Sequence, residues 1–196
     1  MDAQEKEEEV TRRYICGSIK HTMIAPLRTI LYKKALREML ASKKRHRQVH
    51  TFDTARTIGL LFDASSETAR RESLEFARLM EKKGKKVSVL GFFNSKQAPE
   101  APGFDSFFLK ETSWLGQPKS EKAKAFAAEK FDLLLTLNPD DHPPLEWLAA
   151  SSQASFKIGF ATSRPNDLDI QLETPEGKGI RYFTEQLALY LGKITT

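Results

Sequence analysis

At 196 residues the chain suits one compact domain with a long appendage, and an apolar share of 40% with 13 Phe excludes an intrinsically disordered protein. Its net charge of +5 is unevenly placed. Between Pro26 and His50 eight cations (Arg28, Lys33, Lys34, Arg37, Lys43, Lys44, Arg45, Arg47) face one acid, Glu38, a local excess of +7 that leaves about −2 for everything else.

A single cysteine, Cys16, excludes an internal disulfide, and the N-terminus lacks the charged start, apolar stretch and small-residue cleavage site of a secretory leader. The expected compartment is the reducing cytoplasm. A bilayer span needs about 20 consecutive apolar residues, and the stretch Met23 to Leu40 is broken by Pro26, Arg28, Lys33, Lys34, Arg37 and Glu38. No transmembrane segment is expected.

In chain order, Met1 to Arg13 is polar and acidic without apolar periodicity, so residues 1–22 read as a mobile extension. Residues 23–53 read as a basic helical arm and linker, because LRTILYKKALREMLASKKRHR follows Pro26 and lacks Gly and Pro. Its apolar residues fall into two groups, Ile24, Leu27, Ile30 and Leu31, then Tyr32, Leu36, Met39 and Leu40, which point in different directions at about 100° per residue. Either one group packs on the body while the other meets a partner, or a bent helix lies wholly on its own domain.

From residue 54 to 196 strand and helix signals alternate. Thr57 to Asp63 (TIGLLFD) reads as a buried strand, Ser65 or Ser66 as a helix cap, and Glu67 to Lys83 as a helix ended by Gly84. Lys86 to Phe93 closes a βαβ unit with an expected right-handed crossover. Phe104 to Leu109 reads as a short strand, Ser120 to Lys130 as a helix, and Phe131 to Leu137 as a strand. The Pro-rich loop NPDDHPP leads into a short helix carrying Leu145, Trp147, Leu148 and Ala149. Strands at Phe156 to Phe160 and Leu168 to Leu172 follow, and a last helix aligns Ile180, Phe183, Leu187, Leu191 and Ile194. The reading is a single Rossmann-like three-layer α/β domain, with a mainly parallel sheet of about five or six strands, preceded by a basic N-terminal helix.

The segment FDLLLTLNPDDHPPLEWLAASSQASFKIGF resembles the N-terminal Rossmann-like half of heptosyltransferase-type glycosyltransferases, in pattern more than in motif. In that architecture a second Rossmann-like domain holds most of the nucleotide-sugar, and this chain has one such domain. The whole segment from Thr54, with its blocks IGLLFDA, KGKKVSVLGF and FDLLLTL, more closely resembles an uncharacterised bacterial family found mainly in Bacteroidetes. That resemblance implies the fold and a bacterial cytoplasmic setting, without an activity.

Ligands of open parallel sheets sit beyond the carboxyl ends of the strands. That edge gathers Asp63, Ser65 and Ser66 after the first strand and Asn138, Asp140, Asp141 and His142 after the fourth, which could supply carboxylates and a base to a small ligand. Helix capping and ordinary turn chemistry also explain them. The turn DASSET lacks the glycines of phosphate-binding loops, no G-x-S-x-G elbow exists, and Cys16, His21, His46, His50 and His142 form no metal-binding spacing. No catalytic residue, cofactor or metal is assigned. Trp114, in the long loop ETSWLGQPKS, either anchors a partner or folds back to cap the sheet.

The run KKRHRQVH is the sharpest feature. Together with Arg28, Lys33, Lys34 and Arg37, its residues Lys43, Lys44, Arg45 and Arg47 could neutralise phosphates on RNA, a ribonucleoprotein or an anionic membrane. The alternative is a solvated helix end whose cations complement the helix dipole. The sequence therefore favours a non-catalytic docking module for a protein or ribonucleoprotein partner. Its rivals are a small-ligand protein or enzyme, a peripheral membrane protein, and a homodimer formed through the arm.

Overall fold

The computed structural model describes residues 27–97 and 102–193. The sequence readings at 1–22, including Cys16 and His21, and at Ile24 and Ile194 lie outside the described residues. The first helix, α1, occupies residues 27–42. It is followed by β1 (Thr57–Asp63), α2 (Glu67–Lys82), β2 (Lys86–Phe93), β3 (Asp105–Phe108) and a short 3₁₀ turn (Leu109–Glu111). The chain continues through α3 (Glu121–Ala128), β4 (Leu133–Thr136), α4 (Pro143–Ser151), β5 (Phe156–Phe160), β6 (Ile170–Leu172) and α5 (Ile180–Leu191).

The six strands form one sheet in the order β3-β2-β1-β4-β5-β6, and every neighbouring pair is parallel. The chain starts at the centre, winds outward to β3, then returns to β4 and winds the other way. The strand order therefore reverses between β1 and β4, the place where such sheets open a crevice. Strands buried on both faces read as continuous apolar runs, which is why TIGLLFD and LLLT were visible as strands.

Alternate residues supply two cores. Ile58, Leu60 and Phe62 of β1 join Phe76, Ala77 and Met80 of α2 and Phe183 and Leu187 of α5. Leu61, Leu90, Phe92 and Phe107 turn to the opposite face and join Phe126 of α3 and Leu145 and Leu148 of α4. A third, smaller cluster sets Tyr32 and Leu36 of α1 against Ala150, with Met39, Leu40 and Trp147 packed around them. The arm thus lies outside α4 as a further layer.

Element ends differ from the sequence reading where side chains capture the backbone. Phe131 and Asp132 precede β4 instead of belonging to it, because the Asp132 carboxylate accepts the amides of Arg56 (2.7 Å) and Thr57 (2.9 Å) and its own amide donates to Thr57 Oγ1 (2.9 Å). Leu109 turns away from β3 into the 3₁₀ turn, where Glu111 accepts the Phe108 amide at 3.1 Å. Gly84, with φ of 78°, lets the chain leave α2 in a left-handed step that a side chain would strain.

A candidate docking arm and a strand-end edge

Tyr32 and Leu36 bury their side chains on α4, and the Tyr32 hydroxyl lies 2.9 Å from Glu146 Oε2 and 3.0 Å from the Pro143 carbonyl oxygen. Burial first, then the adjacent Glu146 carboxylate, pushes the Tyr32 phenol well above its usual range. Burial likewise raises Glu146, against the pull of Tyr32 and of Arg164, whose Nη1 stands 3.0 Å away. The first half of α1 is fixed by this inward pair.

The linker after α1 is fixed more firmly. Lys43 Nζ donates to the carbonyls of Ala150 (3.3 Å), Ser151 and Ser152 (3.0 Å), at the end of α4 where unsatisfied carbonyls carry the negative pole of the helix. The Arg45 side chain is only 3% exposed. Its Nε meets Asp167 Oδ2 at 3.2 Å, Nη2 meets Asp169 Oδ2 at 2.6 Å, and Nη1 donates to the carbonyls of Ala154 (3.2 Å) and Ser155 (2.8 Å). A guanidinium suits such a fork because its donors are planar and rigid.

Lys157 on β5 completes the cluster. Its buried ammonium donates to the Ala149 carbonyl (2.7 Å) and to Asp167 Oδ2 (2.7 Å). Burial draws its pKa down to about 8, with Asp167 opposing the shift. Burial also lowers Lys43. Asp169 is held from a third side, accepting the Lys157 amide at 2.8 Å.

Of the basic residues singled out in the sequence, Lys43 and Arg45 face inward, onto carbonyls and carboxylates of the body. The helix end that Lys43 complements is that of α4. Arg28, Lys34, Arg37, Lys44 and Arg47 are exposed and Lys33 is half-buried. Lys34 pairs with Glu38 at 3.9 Å and Arg47 with Asp169 at 3.4 Å, while Arg28, Lys33, Arg37 and Lys44 have no ion-pair partner among the described residues.

The two apolar groups of α1 separate as their spacing implies. Tyr32 and Leu36 face α4, whereas Leu27, Ile30 and Leu31 are 53%, 63% and 38% exposed. Residues 27, 30, 31 and 34 stand at helical spacing on one outward stripe. Arg28 flanks that stripe on one side, and Lys33 and Arg37 flank it on the other.

At the carboxyl edge the structure brings Asp63, Ser65 and His142 together beside the β1–β4 reversal. His142 Nε2 lies 3.2 Å from Asp63 Oδ2, and Asp63 Oδ1 accepts the Ser65 amide (2.9 Å) and hydroxyl (2.7 Å). Burial pushes the Asp63 carboxyl up, but the bonds from His142 and Ser65 outweigh it and hold the group below its ordinary value. The same bond to Asp63 raises His142, against its burial.

The remaining edge residues disperse. Ser66 caps α2 by accepting the Ala69 amide (3.4 Å), Asn138 Nδ2 closes its own turn on the Asp140 carbonyl (3.2 Å), and Asp141 pairs with Arg164 Nε (3.0 Å). Asp140 is exposed. Pro143 and Pro144 open α4. They remove two of the amides that make a helix start attractive to phosphate. Trp114 does not cap the sheet. It is 55% exposed, in a turn closed by the Gly116 amide on the Ser113 carbonyl (2.9 Å), with Gly116 at φ of 83° against Pro143.

Lys157, Asp167, Asp169, Glu146 and Arg164 were missed by the sequence reading. Only Lys157 left a signal, as a lone cation within the apolar strand FKIGF. No group of three or more His, Cys, Asp or Glu able to hold a metal occurs among the described residues. None of their helices is long and apolar enough to cross a membrane.

The strand order defines a parallel-sheet α/β protein with one six-stranded sheet. The chain belongs to a family of unknown function (DUF6913), which it matches over residues 28–194, from within α1 to beyond α5. Among curated proteins none matches it. A similar solved structure is that of an exopolyphosphatase-related protein from Bacteroides fragilis, at 19% identity and a TM-score of 0.49. The similarity covers 72% of this chain and 41% of that one, so this chain spans less than half of its neighbour's length.

Proposed function

We propose that the protein is a docking module whose outward α1 face and following linker bind an anionic macromolecular surface. The observation that carries this reading is the division of labour within one basic segment. Lys43 and Arg45 are spent on clamping the segment to α4 and β5, while Arg28, Lys34, Arg37, Lys44 and Arg47 stay exposed on it. A helix held in this way presents its charges as a fixed array, so less ordering entropy is lost on binding than with a free basic tail.

The test is binding of the full chain to polyuridylate and to anionic vesicles over a salt series, for the wild type and for a variant with Arg28, Lys34, Arg37 and Lys44 changed to Gln. Each neutralised phosphate releases condensed counterion, so four lost contacts should flatten the logarithmic salt dependence for the single strand by about 3. The fold should be unchanged, because all four side chains are exposed. A wild type that binds neither polyanion at low salt, or a variant with an unaltered slope, overturns the proposal.

A further inference from the structure

On that reading, we infer that the surface docked by α1 is an anionic lipid bilayer, with Leu27, Ile30 and Leu31 entering the headgroup boundary and the surrounding cations meeting lipid phosphates. Three aliphatic side chains stand exposed together on two successive turns of a helix whose opposite face is already buried. Their exposure is left over after packing: Tyr32 and Leu36 have used the inward face, and the clamp at Arg45 holds the outward one where it is.

The pattern of charge around the aliphatic stripe selects the partner. Arg28 lies on one flank and Lys33 and Arg37 on the other, while Lys34 continues the stripe and pairs at 3.9 Å with Glu38, the only acid in the described α1, one turn further on the same face. An apolar centre bordered by long cationic side chains matches the boundary of an anionic membrane, where aliphatic groups insert shallowly and Lys or Arg reach back to the headgroups. RNA would use the cations but gain nothing from the aliphatics. The aromatics that could stack on bases, Tyr32 and Phe52, are buried. A protein partner or a second copy needs roughly 20–30 residues a side for a stable interface, far more than this stripe supplies, whereas a fluid lipid surface needs no matching shape.

The experiment is co-sedimentation of the full chain with vesicles of phosphatidylcholine alone and of phosphatidylcholine mixed with phosphatidylglycerol, alongside polyuridylate binding. Two variants are compared with the wild type: Leu27→Ser with Ile30→Ser and Leu31→Ser, and Lys34→Gln with Arg37→Gln. Binding is expected to the anionic vesicles only. The serine variant should lose at least tenfold in vesicle affinity, on the order expected for several buried methylenes, while keeping its affinity for polyuridylate. The glutamine variant should lose roughly fivefold per cation. The circular dichroism and melting temperature of both should match the wild type, because the altered side chains face outward.

Polyuridylate binding without vesicle binding overturns the lipid inference and leaves the docking reading standing. Binding to neither overturns both. Equal partition onto neutral vesicles, or a concentration-dependent dimer abolished by the serine substitutions in a protein that ignores vesicles, also overturns the lipid inference.

Discussion

Arg45 shows how little the identity of a charged residue says about its role until its partners are known. The five oxygens it bonds come from four residues, Ala154, Ser155, Asp167 and Asp169, more than a hundred positions downstream. Replacing it by Met would leave two carboxylates in a poorly solvated site with Lys157 as their only buried cation. Removing one member of a buried ionic cluster costs about 3–5 kcal/mol, and in a chain of this length each kcal/mol moves the melting temperature by about 2–4 °C. Arg45→Met should therefore melt about 10 °C lower, whereas Lys44→Met, one residue away and exposed, should melt within about 2 °C of the wild type. Equal melting curves for the two would show that the buried contacts contribute nothing.

The His142–Asp63 pair makes a second prediction at this scale. His142 is raised above its ordinary 6.5, so its stabilising charge is fully present below that pH and is lost as pH rises through the raised value. Asp63 is lowered below 3.8, so its contribution holds above that pH and fades only as pH falls through the lowered value. Between those limits the wild type should exceed His142→Gln by about 1 kcal/mol, a modest figure because both side chains are partly exposed. Melting temperatures taken from about pH 6 to pH 9 should converge. A gap that stays constant over that range would show that the imidazolium does not carry the interaction.

At the level of elements, legibility followed the range of the interactions. β1, β2 and β5 were read to the residue because buried parallel strands write themselves as short apolar runs. The ends of β3 and β4 were misplaced by one or two residues, because Glu111 and Asp132 take backbone amides that apolar pattern alone assigns to the ladder. The two faces of α1 were legible from spacing, since Tyr32 and Leu36 repeat every four residues while Leu27, Ile30 and Leu31 lie elsewhere on the helix. Which basic residues turn inward was not. Lys43 is paired with carbonyls 107 to 109 positions away, and no local pattern announces the end of another helix. Asp63 and His142 could be grouped only through the rule that strand ends converge, and the rule gave no means of separating them from Asn138 or Asp141.

For the molecule as a whole, the sequence drew a boundary between a basic arm and an α/β body, yet the packing runs across it. Tyr32 and Leu36 cover Ala150, Lys43 satisfies the last carbonyls of α4, and Arg45 holds the carboxylates that border β5 and β6. Deleting residues 1–47 would uncover the outer side of α4 and leave Asp167 and Asp169 without Arg45. Adding the lost apolar cover to the lost buried cation puts the cost at about 5 kcal/mol or more, comparable with the whole stability of many domains. The truncated chain should fail to accumulate in soluble form, or should melt at least about 10 °C below the full chain. A soluble truncated protein with an unchanged melting temperature would make the arm a separable appendage, and would remove the rigid platform on which the proposed docking depends.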